Sequence, residues 1–221
     1  MTGAAARFFD AVAGRYDRVY ALPAAESRRR MARVLRALPP APLRLLDLGV
    51  GTGRELGALL DAGLSPTGVD ASKPMIERCA RRARPVPLVH ADFWLPPLPF
   101  DSDAFDAAIA LHGTLAHPPD DGAIERLGNE LARVVGKGGC FVAEVPSPAW
   151  LDALVSAPRM DDRRVQRTGP RTCLCEDLVV GFSIEARVFD DSEWRVALGS
   201  AWQTHVESIG ELEWFVVARR A

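Results

Sequence analysis

Three glycines, Gly49, Gly51 and Gly53, alternate with single residues directly after the apolar run Leu45–Leu48, and Asp47 stands just inside them. Glycine takes backbone angles denied to other residues and lets a ligand come close to the main chain. The segment LLDLGVGTGRE therefore reads as a binding loop, where a plain tight turn would need only one or two such glycines. Its G-x-G-x-G spacing departs from the dinucleotide fingerprint G-x-G-x-x-G, because Arg54 follows Gly53. The phosphate-cradling G-x-x-x-x-G-K-[ST] is absent as well, so the loop suits a nucleoside better than a pyrophosphate. Asp70 closes the next predicted strand, about twenty residues further on, where a carboxylate can accept two hydrogen bonds from a ribose diol.

Other residues with chemical potential follow the later strands. The stretch ALHGTLAHPPD carries His112 and His117, and Glu144 stands near the end of another apolar run. Each could serve as a base; each also has an ordinary reading as a loop or strand-end polar group. Trp94 and Trp150 could wall a pocket or fill core. Of the four cysteines, Cys173 and Cys175 form a C-x-C and the others stand alone, which completes no zinc set. Reduced thiols in a cytoplasmic protein are expected, with the C-x-C pair on the same side of a strand and no metal site.

These residues need elements to hold them. Phe8, Phe9, Val12, Tyr16, Val19 and Tyr20 recur at helical spacing, and a second helix is expected over 24–38 after Pro23. Strands at 43–48, 65–70, 86–90, 105–111 and 140–145 then alternate with helices at 54–62, 73–83 and 122–135. Gly63 and Gly136 are read as stops, and Ser72 as an N-cap. Apolar strands alternating with helices predict a parallel sheet covered on both faces. Beyond Pro146 come a short helix at 150–157, strand material at 163–168 and 172–189, and a helix capped by Asp190 or Asp191 that runs to about residue 200. Two closing strands, 203–209 and 212–219, are close enough to form an antiparallel edge hairpin. The sum is an α/β fold with a Rossmann-like, mostly parallel seven-stranded sheet, an antiparallel C-terminal edge hairpin and an N-terminal helical cap. The expected organisation is a single domain over 1–221: a cap at 1–38, a cofactor-binding core at 43–146 and an insertion at about 156–185.

With 221 residues, 48% apolar and 25% charged, the chain has the balance of a globular protein with a substantial core. A formal net charge of -2 supplies no basic field for nucleic acid or anionic membrane. No apolar run approaches the roughly 20 residues that cross a bilayer, and the first residues, MTGAAARFFDAVAGRYDRVY, do not read as a signal peptide. The basic runs SRRRMAR and RRAR are read as solvated helix faces.

The ordered segments LLDLGVGTGRE, GVDASKPMIERCARR and VHADFWLPPLPFDSDAFDAAIAL together resemble the motifs of class I S-adenosylmethionine-dependent methyltransferases of the small-molecule type. The resemblance implies S-adenosyl-L-methionine as cofactor. It places Asp47 beneath the amino-acid end, and Gly49, Val50, Gly51 and Gly53 beside the methionine and ribose. It gives the ribose hydroxyls to Asp70, sets Ala71 beside the adenine, and has Asp92 and Phe93 read the adenine edge. Leu111 would stand near the methionine portion. FFDAVAGRYD resembles a helix that closes over the cofactor, with Tyr16 in contact. Val50 stands where a small or polar residue is common.

Methyl transfer from a sulfonium is an in-line displacement driven largely by positioning, with His112 the first choice for a catalytic side chain. The acceptor is expected to be a small molecule, with no nucleic-acid or membrane partner, in a monomer or homodimer. A non-catalytic S-adenosylmethionine-binding regulator and an NAD(P)-dependent oxidoreductase are the competing readings.

Overall fold

Alternate side chains along five parallel strands build the two halves of the core. The strands are β1 (Arg44–Leu48), β2 (Ser65–Asp70), β3 (Leu88–His90), β4 (Phe105–Ala110) and β5 (Val135–Pro146). Leu46, Leu48, Ala108, Ala110, Phe141 and Ala143 point to one face, while Leu45, Ala107, Ile109 and Val142 point to the other. That is the two-residue period of a strand with both sides buried. The computed structural model describes residues 3–221 other than Pro42, Ala83, Pro158 and Asp161. The predicted end of one helix at Ala83 and two positions of the predicted insertion thus lie outside the described residues.

Helices α1 (Ala4–Val12), α2 (Tyr16–Val19) and α3 (Ala24–Ala37) precede the sheet. They are followed by α4 (Leu56–Asp61), α5 (Lys73–Arg82), α6 (Ala123–Val134), α7 (Pro148–Ser156) and α8 (Asp191–Ala197). Ser72 caps α5 through Met75 N–H at 3.3 Å. Asp190, not Asp191, caps α8. It accepts from Glu193 N–H at 2.8 Å while the Glu193 carboxylate accepts from Asp190 N–H at 2.8 Å, a reciprocal capping box.

The insertion is a sheet of its own. Strands β6 (Arg159–Met160), β7 (Arg163–Arg167), β8 (Thr172–Asp177) and β9 (Phe182–Arg187) form an antiparallel sheet in that order. The single strand stretch expected at 172–189 is a hairpin. Asp177 accepts from the N–H groups of Val179 and Val180 at 3.0 and 3.2 Å, and Gly181 takes φ +69°, so the chain reverses there. The last strands, β10 (Trp202–Ser208) and β11 (Glu213–Arg220), pair antiparallel with each other, and β11 pairs with β5. The main sheet has seven strands in the order β10-β11-β5-β4-β1-β2-β3. Its order reverses between β4 and β1, so the loops after these two strands diverge and leave a crevice at their carboxyl ends.

Boundaries beside β1 and β5 also differ from expectation. The turn after β1 continues to Glu55, which shortens α4 at its start. At the other, α6 passes straight into β5 at Val135, with no stop at Gly136. β5 therefore begins five residues earlier than its apolar run, with a register shift opposite Phe105–Ala107.

Gly128 on α6 shows how tightly the outer layer is packed. A Cβ there would stand 2.2 Å from the carbonyl oxygen of Leu198 at the end of α8. Gly128→Ala is therefore expected to cost about 1–3 kcal/mol, since main chain cannot yield as a side chain does. Urea unfolding measures it, and an unchanged midpoint would show that α8 shifts freely.

Candidate functional site

Two loops meet over the crevice. After β1 the chain turns through Gly49, Gly51 and Gly53 with φ of +69°, +55° and +74°. After β4 it turns through His112, φ +55°, and Gly113, φ +72°. Positive φ is uncommon outside glycine, so His112 is held there by its surroundings: its N–H donates to Glu144 Oε2 at 2.9 Å.

The three glycines have different reasons to be glycine. A Cβ on Gly49 would stand 2.6 Å from Thr114 Cγ2, and one on Gly53 would stand 2.6 Å from Cys79 Sγ. Their bareness serves packing within the protein. Gly51 is the exception, since the nearest atom to its Cβ would be the Gly49 oxygen at 3.8 Å. Open space there leads into a cavity of about 90 Å³ whose walls include Gly49, Gly51, Asp70, Ala71, Asp92 and Phe93. Gly51→Ala is expected to fold, with strain of about 1 kcal/mol from the left-handed backbone; urea unfolding reads the change.

Asp70 fixes the loop. Its Oδ2 accepts from Gly51 N–H at 2.8 Å and its Oδ1 from Ser72 N–H at 2.8 Å. Burial pushes its carboxyl up to about 6, and the two main-chain donors hold it from rising further. Asp92 Oδ1 accepts from Trp94 N–H at 3.0 Å, and the Trp94 ring lies against Phe93 with centroids 4.9 Å apart.

A smaller recess of about 30 Å³ continues past Gly51 between Asp47, Val50, Arg54, Glu55 and Leu111. Asp47 is buried there. Desolvation first, then the charges of Glu55 and Asp70, drive its carboxyl well above the ordinary range. The recess thus has an excess of acidic groups at its floor, an environment that a cationic ligand group relieves. The Val50 side chain packs on Gly68, where an added Cβ would come within 2.9 Å of all three Val50 side-chain carbons. The branched side chain is accommodated by a glycine on β2.

On the other side of His112 opens a larger cavity of about 390 Å³. Its walls come from the cap (Phe9, Tyr16, Tyr20), from α7 (Trp150, Leu154) and from the small sheet (Val165, Cys175, Ile184). Tyr16 and His112 border all three spaces. Tyr16 is stacked within the cap: Phe9 lies 6.2 Å and Tyr20 4.8 Å from it, and the Arg54 guanidinium lies over its ring at 5.3 Å. Burial pushes the Tyr16 phenol up to about 12, with Arg54 opposing.

Beneath Tyr16 runs a polar chain. His112 Nε2 lies 2.7 Å from Glu55 Oε1. Burial alone would raise the Glu55 carboxyl, but the hydrogen bond from His112 and the charges of His112, Arg54 and Arg82 carry it below its usual value. Glu144, from β5, meets Arg30 Nη1 at 2.7 Å, and Arg30 also binds Glu213. Desolvation raises the Glu144 carboxyl, with Arg30 and His112 opposing. Both Glu144 oxygens are engaged, so it is not free to serve as a base.

A family model described as a methyltransferase domain matches residues 45–139. The demethylmenaquinone methyltransferase of Clavibacter sepedonicus is 35% identical over 146 residues, covering 63% of this chain and 57% of that protein. The crystal structure of a Pyrococcus horikoshii protein superposes with a TM-score of 0.75 at 20% identity, covering 93% of this chain and 98% of the other. The CcbJ methyltransferase from Streptomyces caelestis superposes at 0.72 with 19% identity, covering 97% and 98%.

The chain has the Rossmann-like fold of the class I S-adenosylmethionine-dependent methyltransferases, and its residues 45–139 match a methyltransferase domain. It spans 57–65% of the length of curated relatives that it matches. S-adenosyl-L-methionine is the cofactor that goes with this domain and fold.

The methyltransferase fold brings Tyr16, Gly49, Gly51, Asp70, Ala71, Asp92 and Phe93 to one cavity, with Asp47, Val50 and Leu111 at its inner recess. Gly53 lies in the packing layer behind them. Trp150 walls the larger cavity, while Trp94 walls the smaller one. Sequence reasoning missed Arg54 and Glu55, which follow the glycines and border the recess. It also missed Arg30, which leaves the solvated face of its basic run to reach Glu144. The signal for Arg30 was available in its spacing: Met31 and Val34 are buried, so its neighbour lies at the edge of the apolar stripe. The free thiols of Cys173 and Cys175 lie on one side of β8, 3.8 Å apart. Among the described residues no helix is long and apolar enough to cross a membrane.

Proposed function

We propose that this chain transfers the methyl group of S-adenosylmethionine to a small-molecule acceptor held in the 390 Å³ cavity. The observation that supports it is the meeting of two spaces of different character at Tyr16 and His112. One has glycine main chain and carboxylates, and the other has aromatic and apolar walls with a few polar groups. The larger volume matches a metabolite-sized ligand.

In this reading the ribose hydroxyls donate to the lone pairs of Asp70 that its two main-chain partners leave free. Ala71, Asp92 and Phe93 surround the adenine, and Phe93 offers main chain to its edge. Asp47, with Glu55 behind it, receives the α-ammonium in the acidic recess, and Gly49, Val50 and Gly51 give it main-chain contact. Leu111 lines the same end, and Gly53 sets the turn. Bound there, the cofactor supplies an electrophilic methyl on a sulfonium with a neutral thioether as leaving group. Tyr16 covers it from the cap, and His112, tied between Glu55 and Glu144, fixes the border against which the acceptor is placed. Positioning of this kind can lower a barrier by roughly 7–11 kcal/mol. The strands β7–β9 line the acceptor side, which gives the insertion its function.

The acceptor of the curated relatives is not carried over, because the alignments leave more than a third of each relative unmatched. The test joins two measurements. Calorimetry with S-adenosylhomocysteine should show micromolar binding, and a metabolite library with labelled S-adenosylmethionine should show methyl transfer. Tight binding with no turnover across the library would favour the regulatory reading, and no binding would remove both.

A further inference from the structure

Three polar side chains border both the smaller and the larger cavity: Tyr16, His112 and His117. Two are less suited to take a proton from an acceptor. The Tyr16 phenol holds its proton, as its upward shift requires. His112 Nε2 faces a Glu55 carboxylate at 2.7 Å, and an ionised carboxylate only accepts, so that nitrogen carries a proton. Its Nδ1 lies 3.8 Å from the engaged Glu144 Oε2.

His117 is different. Its Nδ1 lies 2.8 Å from the main-chain carbonyl of Glu185 on β9. A carbonyl can only accept, so the proton is on Nδ1. The opposite nitrogen, Nε2, makes no hydrogen bond among the described residues and is not sealed from solvent. The ring is steadied by Phe9 of the cap, edge-on at 5.7 Å. Burial pushes its pKa down, so the ring is neutral near pH 7.

We propose that His117, its tautomer set by the Glu185 carbonyl, is the proton acceptor of the reaction, and that the substrate is methylated on an oxygen or nitrogen that bears a proton. This rests on the methyltransferase reading above. The acceptor's lone pair forms the new bond to the methyl carbon as the carbon–sulfur bond breaks and its electrons go to sulfur. The proton of the acceptor atom passes to Nε2, and the imidazolium that results releases it to water. The small sheet acquires a chemical role by this account: β9 supplies the carbonyl that selects the tautomer.

His117→Asn is the informative variant, because its amide N–H can keep the bond to Glu185 while the Nε2 lone pair is lost. Two readouts apply. Nitrogen-15 spectra of the wild-type complex with S-adenosylhomocysteine should show His117 neutral at pH 7 with its proton on Nδ1; a proton on Nε2, or a charged ring, overturns the proposal. The second uses phenols and primary amines, which must lose a proton, beside carboxylates and tertiary amines, which need not. The variant should bind S-adenosylhomocysteine within threefold of wild type. It should lose at least about a hundredfold in kcat for the proton-bearing class, in the range of general-base effects, and under threefold for the other. Equal losses in both classes, or wild-type turnover of phenols and amines, would also overturn it. Failure of S-adenosylhomocysteine binding in the wild type would instead count against the methyltransferase reading itself.

Discussion

Asp70→Ala is expected to weaken S-adenosylmethionine binding by roughly 2–4 kcal/mol, the sum of two hydrogen bonds to a charged group. That is a rise in Kd of about thirtyfold to a thousandfold. The same carboxylate also anchors Gly51 N–H and Ser72 N–H, so part of the loss comes from a loosened loop. Asp70→Asn separates the contributions, because an amide oxygen keeps one acceptor and removes the charge. The wild type carries its own control in pH. Its carboxyl sits at about 6 in the free protein because burial raises it. Ribose hydroxyls favour the ionised form, so ligand and proton compete. The Kd should therefore be flat above pH 7 and rise as pH falls through about 6, approaching tenfold per unit until the pKa of the bound state is reached. Calorimetry from pH 8 to 5 measures this. A flat profile together with an unchanged Kd for Asp70→Ala would remove the ribose assignment.

The second large effect is on stability. Arg30 is 15% exposed and faces Glu144, whose side chain is 4% exposed. Removing one partner of such a pair leaves a charge in a poorly solvated place, at a cost of about 3–5 kcal/mol. Arg30→Ala should lie near the lower end, because Glu144 keeps the N–H of His112. Without the guanidinium the Glu144 carboxyl, already raised by desolvation, should rise further in the folded state. A folded pKa above the unfolded one penalises folding once the group ionises. The deficit relative to wild type should therefore be largest near pH 8 and shrink toward pH 5 as the carboxyl takes up a proton. Denaturant unfolding at the two pH values tests this; a deficit that does not change with pH would mean that Glu144 finds another partner.

The residues that line the smaller cavity were legible because they are local in sequence and their types are constrained by backbone geometry. Gly51 must be bare at φ +55°, and Asp70 must end a strand paired in register with β1. The partner of Arg30 and the role of Glu185 were not legible. Arg30 meets a carboxylate 114 residues away, and Glu185 contributes a carbonyl that every residue possesses, to a histidine 68 residues away. The glycine reading itself needed refinement, since Gly49 and Gly53 are bare to accommodate Thr114 and Cys79.

By itself the sequence determined the α/β alternation, the seven strands, the glycine turn and the carboxylate beyond it. All of these follow from periodicities of two and 3.6 residues and from the steric uniqueness of glycine, which act over a few residues. Only the tertiary structure decided that residues 159–187 close as a separate sheet over the larger cavity, that His112 is bound between two glutamates, and that His117 is left with an open nitrogen. Those outcomes depend on which distant groups meet, and a hydrogen-bond partner drawn from another element leaves no local pattern in the chain.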